Sequence, residues 1–281
     1  MSLSITSLNS GSNGNCYYIG NDEEAILVDA GISCRETEKR MKRLGLQMEK
    51  VKAIFISHEH GDHIAGIVVL ARKFKLPVYI TIPTVTNGRL RLEKNSIISF
   101  EAHKPVFIGG LSVTAFPKFH DASDPHSFMV SCKGVNVGIF TDIGIVCKQV
   151  IHYFQQCHAA FLEANYDETM LENGSYPYHL KKRISSGMGH LSNTQALELF
   201  KKYRPSFMSH LLLSHLSKNN NDPLLVQSLF DLHAGNTQII VATRYKETEV
   251  YPIQFSETVM IQGARRITKK RFTRQAQLSL F

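Results

Sequence analysis

The chain has 281 residues, 43% of them hydrophobic, with no Trp, five Cys and a formal net charge of +8. That length and apolar share are enough to bury a real core, as one large domain or two merged halves, and they exclude a wholly disordered chain. An odd number of cysteines without a C-x-x-C pair argues against a disulfide framework and for free or buried thiols.

No apolar run approaches the ~20 residues of a membrane span. The first fifteen residues lack a basic stretch followed by an apolar one, so a cytoplasmic protein without a membrane partner is expected. The charge is uneven. Six of the 32 basic residues lie beyond Glu257, where no acid remains, and the rest of the chain is nearly balanced. Such a basic tail suits a polyanion such as nucleic acid, or is a solvated end.

In chain order, residues 4–8 and 16–19 read as strands joined by NSGSNGNC, residues 9–16. That turn is either an ordinary hairpin loop or a set of backbone N–H groups aimed at an anion. Residues 25–31, AILVDAG, read as a buried strand ending at Asp29, and residues 34–44 as a helix that Asp29 could cap. A strand at 51–57 leads into SHEHGDH, Ser57 to His63, and a helix over 62–74 follows. Imidazoles and carboxylates crowded at a strand end are what a divalent metal needs. The spacing lets His58 and His60 face one ion, while Asp62 and His63 on the first helical turn face a second. Such nitrogen and carboxylate donors suit Zn²⁺, with Mn²⁺ or Fe as alternatives.

Residues 78–81 read as a strand, and 93–108 as a sheet edge. A strand at 111–117 precedes His120, which ends it as His58 ends its own; His126 follows a Pro in the same loop and is the local competitor. Residues 135–141 form a strand ending in TDIG, where Asp142 by itself is a turn former. A strand at 159–163 ends in Glu163, a helix covers 194–203, and a strand at 206–214 runs into His215.

SHEHGDH resembles the metal-binding signature of the metallo-β-lactamase fold superfamily. The resemblance implies a four-layer αβ/βα sandwich of α/β class, with two divalent ions at the edge between its halves. It implies that His58, His60 and His120 bind the first ion, Asp62, His63 and His215 the second, and that Asp142 bridges them. Asp29 is then a support behind the ligands. The order Glu163, GHLSN with His190, then SHLS with His215 is similar to that of nucleases of this fold. In those enzymes a Glu holds a histidine that protonates the departing oxygen, which makes His190 and Glu163 catalytic alongside Asp62.

GSNGNC, LVDAG, HDASDP, TDIG, EANYDETMLENGSYP, LKKRI and SHLSKNNN are similar to the compact bacterial YycJ/WalJ-like branch, over about residues 1–252. That branch implies a 5′-to-3′ DNA exonuclease of repair or replication, of the mismatch-correction kind. The alternatives are an RNA-processing nuclease with the same machinery, or a hydrolase of thioesters or lactams. Lys181, Lys182 and Arg183 could hold backbone phosphates, or could be a solvated helix face.

The chain ends QLSLF, which resembles the peptide by which bacterial replication proteins bind the sliding clamp. Gln277, Leu278, Leu280 and Phe281 would be its contacts, the leucine and phenylalanine side chains as apolar anchors. The expected organisation is a catalytic domain over 1–262 and a basic tether over 263–281.

Overall fold

The computed structural model describes residues 3–254; the tether and its QLSLF end lie outside the described residues. The first half runs β1 (Leu3–Asn9), β2 (Cys16–Gly20), β3 (Ala25–Val28), α1 (Cys34–Arg43), β4 (Val51–Phe55), α2 (Gly61–Ile64), α3 (Ile67–Phe74), β5 (Val78–Tyr79), α4 (Ile82–Asn87) and β6 (Ile97–Ile98). The second runs β7 (Pro105–Ile108), β8 (Leu111–Pro117), β9 (His126–Cys132), β10 (Val135–Phe140), α5 (Lys148–Phe154), β11 (Ala159–Glu163), α6 (Glu168–Asn173), α7 (Tyr178–Ser185), α8 (Asn193–Tyr203), β12 (His210–Ser214), α9 (Pro223–Asp231), β13 (Gln238–Val241) and β14 (Tyr251–Ile253).

The strands form two seven-stranded sheets, ordered β14-β1-β2-β3-β4-β5-β6 and β13-β12-β11-β10-β9-β8-β7. Both faces of each sheet are covered, which is why several strands are apolar throughout rather than alternating. In β3, Ile26 and Val28 join the core between the sheets, while Ala25 and Leu27 join the core under the helices. Phe55 stacks on Tyr79 of the neighbouring strand at 4.5 Å and, across the gap between the sheets, meets the edge of Phe128 at 5.7 Å. Helix α8 and β10–β12 bury a third core on the far side, around Phe140, Phe154 and Phe200. Helix, sheet, sheet and helix make the four layers the sequence implied.

Strands β3 to β6 are parallel neighbours, as are β10 to β13. Carboxyl ends of parallel strands are where α/β folds place their ligands. Here the ends of β3, β4, β8, β10, β11 and β12 carry Asp29, His58, His120, Asp142, Glu163 and His215.

The structure differs from the sequence-based expectation in three places. The helix over 62–74 is two helices, α2 and α3, broken before Ile67. Gly66 N–H bonds Ala30 O, and a Cβ at Gly66 would lie 1.9 Å from Ile32 O. The segment 93–108 lies at a sheet edge as expected, but it is divided, supplying an edge strand to each sheet, β6 to one and β7 to the other. His126 opens a strand, β9, instead of sitting in a loop, and its N–H bonds Ser57 O.

Candidate metal centre

Three residues at this edge have left-handed backbones although none is glycine: Asp29 (φ 63°), Asp142 (φ 55°) and His215 (φ 57°). Asp29 and His215 follow a strand end directly and Asp142 one residue later, and the turn swings each side chain over the edge. Such strain, on the order of 1 kcal/mol or more per residue, persists where surrounding structure holds it.

The seven expected ligands meet there. His58 Nε2 and His120 Nε2 lie 3.1 and 3.2 Å from His60 Nδ1. Asp62 Oδ2 lies 3.5 Å from His63 Nε2 and 3.2 Å from His215 Nε2. Asp142 sits between the two groups, with Oδ2 3.0 Å from His63 Nε2 and Oδ1 3.5 Å from His215 Nε2 and 3.8 Å from His120 Nε2. His126 belongs to neither group.

The protons of these rings can be assigned from their outer partners. Ser57 Oγ gives its hydrogen to Asp29 Oδ2 at 2.9 Å, so it accepts from His58 Nδ1 at 2.9 Å. His63 Nδ1 donates to Asp29 Oδ2 at 2.7 Å, and His120 Nδ1 to the carbonyl of Gly189 at 3.0 Å. His215 Nδ1 donates to Glu163 Oε1 at 3.1 Å. All four rings therefore turn Nε2 inward, His58 and His120 as bare lone pairs and His63 and His215 toward the Asp62 and Asp142 carboxylates. Asp142 Oδ2 is buried beside them. Imidazole nitrogens and carboxylate oxygens packed this closely fit divalent cations.

A β-lactamase superfamily domain matches residues 24–215. The chain belongs to the β-lactamase superfamily. It is 35% identical over 226 residues to exodeoxyribonuclease YycJ of Bacillus anthracis, covering 79% of this chain and 85% of that protein. It is 32% identical over 219 residues to exodeoxyribonuclease WalJ of Streptococcus pneumoniae, covering 76% and 81%. The crystal structure of the metallo-β-lactamase fold protein YhfI from Bacillus subtilis matches with a TM-score of 0.68 at 16% identity, over 90% of this chain and 100% of that one. That last likeness is one of fold.

Within this superfamily site the electrostatics divide the two groups. Burial pushes His58 well below its usual range and His120 down to about 4, leaving both rings neutral. Burial acts the same way on His63 and His215, but carboxylates outweigh it. Asp142, Asp29 and Asp62 drive His63 far up, and Asp142, Asp62 and Glu163 push His215 up to about 10. Burial would raise the Asp62 and Asp142 carboxyls; the same two imidazoles hold both well below the carboxylate range. The Asp62 group carries a pair of protons that a metal would displace.

Glu163 is fully buried, yet it accepts at both oxygens. Oε1 takes His190 Nδ1 at 2.7 Å as well as His215 Nδ1, and Oε2 takes the N–H groups of Ile143 at 2.8 Å and Leu191 at 3.2 Å. His190 lies just before α8, whose start is fixed by a capping box between Ser192 and Gln195.

Several supporting residues were not singled out from sequence. Asn15 Nδ2 lies 3.1 Å from Asp62 Oδ2, and Ser10 Oγ accepts from His215 N–H at 2.7 Å. The turn 9–16 thus braces two of the expected ligands. A Cβ on Gly31 would fall 1.7 Å from Asp62 O, so only glycine lets the Asp62 turn pack there. Buried Lys118 donates to Thr141 O at 2.7 Å, pinning the strand end that carries Asp142. The three α7 cations each have a local partner: Lys181 bonds Glu172 O, Lys182 lies over the Tyr178 ring, and Arg183 pairs with Asp121. Among the described residues no helix is long and apolar enough to cross a membrane.

Proposed function

We propose that this chain is a metal-dependent phosphodiesterase that degrades DNA from an end, a 5′-to-3′ exonuclease of repair or replication. The observation that carries this is the Glu163–His190 pair set beside two ligand groups. Its support is the similarity, over most of the chain, to two proteins named exodeoxyribonucleases.

In this reading His58, His60 and His120 would hold one divalent ion, Asp62, His63 and His215 would hold the other, and Asp142 would serve both. Zn²⁺ and Mn²⁺ both suit these donors. When bound, the ions supply an activated water and offset the charge that develops on the phosphoryl oxygens. The chain itself supplies the proton for the leaving group. His190 gives it from Nε2 to the departing 3′ oxygen, while Glu163 Oε1 keeps Nδ1–H, fixes the ring and stabilises the imidazolium. Asp62 serves as ligand and catalytic carboxylate, and Asp29 orients His63 from behind.

Residues 1–262 are the catalytic domain and 263–281 a basic tether. Lys181, Lys182, Arg183 and the tether hold strand phosphates, and Gln277, Leu278, Leu280 and Phe281 dock on the sliding clamp. The test is a comparison of matched DNA and RNA strands with Mn²⁺ and with Zn²⁺, before and after chelation. DNA consumed from an end and halted by chelator supports the proposal. Faster loss of RNA refutes the choice of substrate, and cleavage that survives chelation refutes the metal site.

A further inference from the structure

Five histidines belong to the two ligand groups, and four have an outer nitrogen fixed by a hydrogen bond: His58 to Ser57, His63 to Asp29, His120 to Gly189 and His215 to Glu163. His60 is the exception. It faces inward through Nδ1, so its outer nitrogen is Nε2, which has no hydrogen bond among the described residues. The carboxylate facing that nitrogen is Asp121, with Oδ1 at 3.8 Å. Asp121 Oδ1 is itself buried and without a hydrogen-bond partner. An unmet donor and an unmet acceptor thus face each other across a gap about 1 Å longer than a charge-assisted hydrogen bond.

We propose that Asp121 is the positioning residue for His60, accepting from Nε2–H and thereby fixing Nδ1 as the ligand atom. The rest of Asp121 is already held for this role. Its N–H bonds Met188 O at 2.9 Å, and Oδ2 takes the Arg183 Nε–H. Arg183 keeps the carboxylate ionised, with Oδ1 turned toward the histidines, where it also lies 3.5 Å from His120 Nε2. A small turn of the His60 ring or of the Asp121 carboxylate closes the contact. A cation on Nδ1 favours that turn, because it makes the Nε2–H a stronger donor. The loop that carries Asp121 also meets the segment leading to His190, so one carboxylate ties the first ligand group to the proton donor's loop.

This inference rests on the ligand reading of His58, His60 and His120, and its test is metal uptake rather than turnover. The metal-free full-length protein is titrated with Co²⁺ against a competing chelator while the d–d absorption is recorded. Losing an orienting carboxylate behind a metal-bound histidine costs about 10–100-fold in affinity. Asp121→Ala is expected to weaken one of the two sites by that factor, leaving the other site and the d–d band positions unchanged. Asp121→Asn keeps an acceptor oxygen for His60 and is expected to recover part of the loss; it carries the test alone if the alanine variant does not fold.

An Asp121→Ala protein that folds and binds both ions within about twofold of wild type overturns the positioning role. Displaced d–d bands overturn it too, because they mark Asp121 as a direct ligand. A wild-type protein that takes up no ion at the three histidines overturns the ligand reading, and this inference with it.

Discussion

Replacing Glu163 with glutamine keeps the shape and removes one charge. All four of the hydrogen-bond donors that meet this side chain stay where they are. The backbone N–H groups of Ile143 and Leu191 cannot reverse, so the amide oxygen must stay with them. The amide NH₂ is then driven against Nδ1 of His190 and of His215, two nitrogens that carry protons in the wild type. Relief requires both rings to change tautomer, which places a proton on His215 Nε2, a nitrogen assigned to the metal.

The magnitude can be reached in two ways. Two charge-assisted bonds at about 1.5 kcal/mol each make about 3 kcal/mol. Independently, burial would raise the Glu163 carboxyl, but His190 and His215 outweigh it and hold the group at about 2, against 4.5 in a free chain. That difference also corresponds to about 3 kcal/mol for a buried group. A depressed carboxyl stabilises above its unfolded value, so in the metal-free protein this contribution is full above pH 4.5 and fades as pH falls toward 2.

In catalysis, loss of an oriented acid is expected to lower single-turnover cleavage by about 10²–10⁴-fold at saturating metal. The assay compares a natural 3′-oxygen leaving group with a p-nitrophenolate leaving group, which needs no proton. The Glu163→Gln deficit is expected to shrink to about tenfold or less on the activated substrate. An equal deficit on both substrates would refute the proton-donor role and leave Glu163 as a support for His215 alone.

Asp29→Asn puts an amide against Ser57 N–H, Ser57 Oγ–H and His63 Nδ1–H, and is expected to cost about 2–4 kcal/mol in denaturant unfolding of the metal-free protein. Gly31→Ala forces a methyl into Asp62 O and is expected to lower stability by about 1–3 kcal/mol and to weaken metal uptake, both read by thermal melts with and without metal. Metal loading should release protons at neutral pH, because His63 is driven far up and His215 up to about 10 by their carboxylates. Apparent affinity is therefore expected to rise with pH through the neutral range, and calorimetry in two buffers of different ionisation enthalpy counts the protons. A labelled full-length chain is expected to bind the sliding clamp by anisotropy, and Phe281→Ala to weaken that binding at least about tenfold.

Much of the candidate site was legible in the sequence because its expected ligands sit at strand ends. A run of apolar residues closing on His or Asp marks such a position without knowledge of the fold, as with Ser57–His63 and His215, whereas Asp142 by itself reads as a turn former and is assigned to the metals only through the resemblance. What was not legible depends on contacts between distant segments. Nothing near Asn15 announces that it reaches Asp62, and the helical pattern of 62–74 does not reveal that Ala30 and Ile32 press on Gly66. Glu163 and His190 could be paired only through the resemblance, since the sequence does not show that one carboxylate serves His190 and His215 at once. The segment 93–108 has the look of an edge, but only the folded chain divides it between two sheets.

The most direct measurement is a time course on linear DNA labelled at either end, with Mn²⁺ and with Zn²⁺, comparing wild type with Asp62→Ala. Asp62 lies within 3.5 Å of both His63 Nε2 and His215 Nε2, so its loss opens the second ligand group. The account predicts release of mononucleotides from the 5′ end by wild type and none by the variant. DNA left intact by wild type under both metals, or cut equally by Asp62→Ala, would contradict it.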